Sequence, residues 1–172
     1  MLKLLGALLV IFPCGLIGLV LGRNLARRAD ELRQLQFALQ SLETEIAFAA
    51  TPLPDAMKSV AGQISGQVSE VFKQTATELV NGQGQTAAEA WCKSLKQKEN
   101  SLVLNKSDMD ILEQFGLGLG ISDREDQKKR LTMIRTQLAG REKQAETERQ
   151  QFQKLWQSLG WMIGFLITLL FI

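Results

Sequence analysis

Residues 32–49 read LRQLQFALQSLETEIAFA, and the spacing of their apolar side chains decides the fold. Leu32, Leu35, Leu39, Leu42, Ile46 and Ala49 step by three and four without a break. That period places them on one face of an α-helix and makes a coiled-coil seam, which needs a second helix to cover it. The matching pattern lies near the other end of the chain, where Leu131, Ile134, Leu138, Ala145, Phe152, Leu155 and Leu159 follow the same phase, interrupted by Arg141 and Glu148. The two seams are expected to face each other. Residues 23–50 and 123–154 would give helices of roughly 40 and 48 Å at about 1.5 Å per residue, forming an antiparallel stalk. Thr51-Pro52-Leu53-Pro54 ends the first, because proline lacks the N–H and restricts the residue before it.

Shorter amphipathic segments fill the interval. Met57, Val60, Ala61 and Ile64 mark one helix; Val68, Val71, Phe72, Thr75, Ala76 and Leu79 mark another, ended by Asn81-Gly82-Gln83-Gly84. Thr86-x-x-Glu89 has the form of a capping box and opens a third helix, with Trp91 and Leu95 inward. The tract 98–106 reads as a loop, and Ser107-Asp108 opens a fourth short helix containing Ile111, Leu112 and Phe115. No strand-like alternation is present. The expectation is an all-α, six-helix bundle whose two long antiparallel helices continue into the chain's two ends.

Those ends are apolar. Residues 4–22, LLGALLVIFPCGLIGLVLG, and 155–172, LWQSLGWMIGFLITLLFI, carry no charge. Each has about the length that crosses a bilayer core of about 30 Å. The first could instead be a signal peptide, yet no Ala-x-Ala site follows it and it passes directly into Arg23, Arg27 and Arg28. A lipoprotein would need a small residue before Cys14, where Pro13 stands. Two transmembrane helices, residues 1–22 and 155–172, are therefore expected to bracket a helical domain at 23–154. Arg23, Arg27, Arg28 and Arg33 flank the first and Arg141, Lys143, Arg149 and Lys154 precede the second, so the positive-inside rule puts the domain in the cytoplasm of a two-span cell-membrane protein.

All Lys and Arg except Lys3, and every Asp and Glu, lie between the apolar ends, leaving one net positive charge there. A nucleic-acid partner would call for a basic excess. The chain has no histidine and no tyrosine, which removes the commonest general base and metal ligand. Cys14 and Cys92 form neither a CxxC nor a metal knuckle. The glycines of Gly116-Leu117-Gly118-Leu119-Gly120 miss both the dinucleotide and the P-loop spacing, and Ser122-Asp123 would set negative charge where phosphate should sit. They read as a helix terminator, with Ser122-x-x-Glu125 capping the last long helix and Asp123, Glu125 and Asp126 complementing its N-terminus. Asp108-Met109-Asp110 with Glu113 lacks the EF-hand pattern and reads as acids in a first helical turn, while Lys128-Lys129-Arg130 reads as a solvated face. No catalytic residue, cofactor-binding residue or metal site is nominated. The remaining motifs concern packing: Gly18 with Gly22 and Gly160 with Gly164 are both GxxxG pairs that would let two membrane helices approach closely, and Pro13 would kink the first.

The ordered motifs Arg33-Gln34-Leu35-Gln36-Phe37-Ala38-Leu39-Gln40-Ser41-Leu42-Glu43-Thr44-Glu45-Ile46, Thr51-Pro52-Leu53-Pro54-Asp55-Ala56 and Leu119-Gly120-Ile121-Ser122-Asp123-x-x-x-Gln127 resemble stage III sporulation protein AB of endospore-forming Firmicutes, over essentially the whole chain. That family is in turn similar to the cytoplasmic helical domain of the inner-membrane platform proteins of type II secretion and type IV pilus machines. The platform proteins usually carry two copies of the domain and this sequence one, so a platform role implies homo-oligomerisation. The resemblance implies membership of a channel complex between mother cell and forespore, with sister stage III sporulation subunits and a secretion-type ATPase, stage III sporulation protein AA, as partners. A non-enzymatic membrane scaffold is the leading expectation. A membrane-anchored signalling adaptor or sensor and a membrane enzyme are the alternatives from other classes.

Overall fold

The computed structural model describes the chain apart from residues 1, 48, 50, 83–85, 121–123 and 172, and its side chains apart also from residues 2–21, 47, 124, 125, 127, 153 and 156–171. Six α-helices and no strand occur among the described residues: α1 Leu2–Ala47, α2 Leu53–Gln63, α3 Gly66–Asn81, α4 Ala87–Lys98, α5 Lys106–Leu117 and α6 Arg124–Phe171, with a single 3₁₀ turn at Glu99–Ser101. Both predicted membrane spans fall on stretches whose side chains, apart from Gly22 and Leu155, lie outside the described residues. Among the residues that are described, no helix is long and apolar enough to cross a membrane.

Helices α1 and α6 run antiparallel, as the order of their partners shows. Arg28 meets Glu148, Arg33 and Gln36 meet Glu142, and Gln40 and Glu43 meet Arg135. Leu32, Leu35, Leu39 and Leu42 are buried on one side and Leu131, Ile134, Leu138 and Ala145 on the other, Ile46 is half-buried, and Leu155 is exposed. Helix α1 stops at Ala47, a turn earlier than its apolar pattern suggests, and Ala49 lies exposed beyond it. The stop is built by Glu45, whose carboxylate accepts hydrogen bonds from Thr51 Oγ1 at 2.8 Å and Ser59 Oγ at 2.9 Å. These bonds hold the Glu45 carboxyl below its ordinary range and draw the Pro52–Pro54 corner onto the end of α1.

The short helices pack around a single hydrophobic core with Trp91 at one corner. Its ring is fully buried, sits edge-on to Phe72 at 5.2 Å and to Phe115 at 4.8 Å, and donates Nε1–H to the Leu112 carbonyl at 2.8 Å. A Cβ on Gly116 would fall 2.3 Å from the Trp91 Cδ1, so glycine is what allows α5 to lie against the indole. Thr86 and Glu89 form both bonds of a capping box at the start of α4. Helix α5 begins earlier than expected: its cap is Asn105, in a reciprocal box with Asp108, rather than Ser107-Asp108. The predicted loop 98–106 holds the 3₁₀ turn and a short extended run to Asn105. Beyond α5, Gly118 caps the helix and Gly120 takes φ +76°, the left-handed geometry expected of a glycine terminator.

Candidate functional site: a charge layer between the long helices

Polar residues interrupt the apolar seam of α6 at Arg141 and Glu148, seven residues apart. Their counterpart in α1 is Arg28, four residues before Leu32 and seven before Leu35, which occupies a seam position itself. The fold brings a second carboxylate to the same place from α5, because its capping box turns Asp108 inward, where it is fully buried. Arg28 Nε lies 2.9 Å from Asp108 Oδ2 and Nη2 lies 3.3 Å from Oδ1, a two-pronged pair, while Nη1 donates to Glu148 Oε2 at 2.7 Å. Arg141 Nε approaches Asp108 Oδ1 at 4.0 Å.

The two carboxylates differ in environment. Asp108 also accepts the Asn105 N–H at 3.1 Å, whereas the Glu148 side chain keeps 38% of its surface exposed and accepts a bond from Gln144 at 3.0 Å. Arg28, itself buried, has all three guanidinium nitrogens engaged. Hydrogen bonding to Asp108 raises its pKa, opposed by burial and supported by the charges of Asp108 and Glu148, so it stays protonated. One turn further along α1, Glu31 accepts the Val103 N–H at 2.8 Å and faces Arg27 at 3.6 Å. Burial pushes the Glu31 carboxyl up, and the bond from Val103 and the charge of Arg27 pull the other way. Thus α1 grips both the run that leads into α5 and the first turn of α5. The chemistry available is structural: a fixed cation between two anions on two other helices.

At the opposite end of the long-helix pair an apolar cleft of about 240 Å³ opens among Ile46, Phe115, Leu117, Leu119, Leu131, Met133 and Ile134, with Leu117 and Met133 exposed. Among the described residues no group of His, Cys, Asp and Glu could hold a metal ion. Asp110 and Glu113 are exposed on α5, away from Asp108, and Lys128, Lys129 and Arg130 are exposed on α6.

Of the packing residues nominated from sequence, Gly22 lies against Phe152, whose ring would be 3.4 Å from an added Cβ. Gly18, Gly160 and Gly164 lie outside the residues with described side chains, as do Ser122 and Glu125. Sequence reasoning missed Arg28, Asp108 and Glu148 as a set. The available signal was a charged residue at a seam position in each long helix.

The family model for stage III sporulation protein AB matches residues 3–172. Stage III sporulation protein AB of Bacillus subtilis (strain 168) is 38% identical over 170 residues, covering 99% of each chain. A solved structure of stage III sporulation protein AB superposes with a TM-score of 0.69 at 39% identity, covering 73% of this chain and 98% of that one.

Proposed function

We propose that this chain, which belongs to the stage III sporulation protein AB family, works as a non-enzymatic platform subunit of a sporulation channel or secretion-like complex. Its apolar ends would anchor it as two spans in the mother-cell membrane around the forespore, with the bundle in the cytoplasm. The bundle would dock a secretion-type ATPase, stage III sporulation protein AA, and sister stage III subunits. The observation that carries this reading is the antiparallel pairing of α1 and α6, whose apolar continuations leave the bundle from one end while the short helices stay at its side. A force applied to the bundle then reaches both apolar ends through continuous helix. The absence of histidine from the chain and the structural use of Arg28, Asp108 and Glu148 support coupling over catalysis.

The experiment is co-purification of the full chain, in lipid nanodiscs, with the ATPase in the presence and absence of nucleotide. Association that competes with excess free ATPase supports the proposal, and no association in either state overturns the docking role. Cysteine labelling in intact cells decides the topology: in a chain with Cys14 and Cys92 replaced by serine, the exposed bundle position in Lys128→Cys should label only after the membrane is opened.

A further inference from the structure

The buried charge layer does something that the leucine seam cannot. Along α6 the seam positions repeat at seven residues, as Leu131, Leu138, Ala145 and Phe152 in one row and Ile134, Arg141, Glu148 and the exposed Leu155 in the other. Sliding α6 by seven residues exchanges leucine for leucine in one layer of the first row, exchanges leucine with alanine and alanine with phenylalanine in the other two, and forfeits one layer at an end. These apolar contacts are non-directional and resist a slide through volume at the buried Ala145 layer, whatever its direction, and not through the sign of any contact. The second row discriminates strongly, because its two polar members carry opposite charge.

The geometry points to Arg28, Asp108, Glu148 and Arg141 as a pin that sets the register of α6 against the rest of the bundle. In the observed register Arg28 meets Glu148 at 2.7 Å. A slide of seven in one direction would bring Arg141 to Arg28, setting a second cation where the half-buried Glu148 stood. A slide in the other brings Leu155 there and leaves Glu148 behind. Arg28 cannot follow α6 in either case, since Asp108 holds it by two nitrogens from α5. Its reference point is therefore the bundle and not α1 alone. Buried ion pairs contribute little net stability compared with apolar side chains of the same size, and fixing register is their best-attested use. The pin also fixes where the long helices leave the bundle, with Gly22 opposite Phe152 one to two turns beyond Arg28.

Exposed flanking charges agree only in part. The slide that brings Arg141 to Arg28 also sets Arg135 against Arg33, yet it sets Lys128 against Glu43, an attractive pair. The discrimination thus rests on the buried Arg28–Asp108 pair, against which the half-buried Glu148 and Arg141 are read and where charges are screened less than on the open surface.

The test exchanges the two charges, Arg141→Glu with Glu148→Arg, in the full chain with Cys14 and Cys92 replaced by serine. Register is read by oxidative disulfide formation between Arg33→Cys and Glu142→Cys for the observed pairing, or Arg33→Cys and Arg135→Cys for the slide. In the observed register the second pair is separated by about 10 Å of helix axis, too far for a disulfide. The exchange should raise the slipped product relative to the observed one by about tenfold or more. Glu148→Leu, which keeps the Arg28–Asp108 pair, should raise it by a smaller factor. Helical chains that form the observed disulfide alone in both variants overturn the pin. Should the exchanged chain fail to fold, Glu148→Leu decides the matter by the same ratio.

Discussion

The Trp91 corner and the Arg28 layer are both buried and both join α5 to its neighbours, yet they achieve specificity by different physics. At the corner, shape does the selecting: an indole between two aromatic edges, a glycine where any Cβ would collide, and one hydrogen bond to a helix carbonyl. Burial of this much apolar surface is strongly stabilising, and misfit is penalised by overlap. In the charge layer the stabilisation is slight, because desolvation of Arg28 and Asp108 offsets their attraction. What the layer supplies is intolerance of wrong pairings. A core can therefore contain one region that provides stability and another that provides uniqueness.

The comparison can be broken at either region. Trp91→Ala should cost about 3–5 kcal/mol of unfolding free energy, read from urea denaturation of the full chain in detergent. A cost below about 1 kcal/mol would show that the corner is dispensable. Arg28→Met should cost about 3 kcal/mol, since Asp108 remains buried with its main partner gone. Adding Asp108→Asn, which keeps an acceptor for the Asn105 cap, should recover most of that loss. An additive double variant would mean the pair stabilises in its own right, contrary to the distinction drawn above. Gly116→Ala should cost about 1–3 kcal/mol and alter the near-ultraviolet signal of Trp91, because the indole must move.

Smaller effects sharpen the contrast. Thr86→Ala, which removes one bond of the capping box beside the corner, should cost about 1 kcal/mol. Glu31→Gln tests the electrostatic side through pH. The folded-state pKa of Glu31 is raised, chiefly by burial, so the folded chain binds the proton more tightly than the unfolded one. Its contribution is then fully present below the unfolded pKa and is lost as pH rises through the folded one. Between those limits the original chain should lose stability with rising pH relative to Glu31→Gln, and the difference should level off above the folded-state pKa. Parallel profiles for the two chains would remove Glu31 from the account.

How much of this was legible beforehand depended on the distance over which each signal acts. The Leu32–Ile46 seam, the Pro52 and Pro54 break and the Thr86–Glu89 box are written within a few residues, and period or motif reveals them. Asn105 was overlooked as a cap because its partner is Asp108 rather than the glutamate of the commoner box, and the early end of α1 came from Glu45 bonding across the corner to Thr51 and Ser59. The Arg28 layer was visible merely as faults in a pattern. Its members stand 80 and 120 residues apart, and no local rule relates them.

Sequence by itself determined the helical class, the two long apolar faces and the family, because helix periodicity and capping are properties of neighbouring residues. Tertiary structure alone decided that Arg28 should stand between Asp108 and Glu148 and that Trp91 should require Gly116. Both depend on which surfaces meet when distant segments pack, and at those meetings charge and volume, rather than hydrophobic period, choose among the arrangements that the apolar pattern permits.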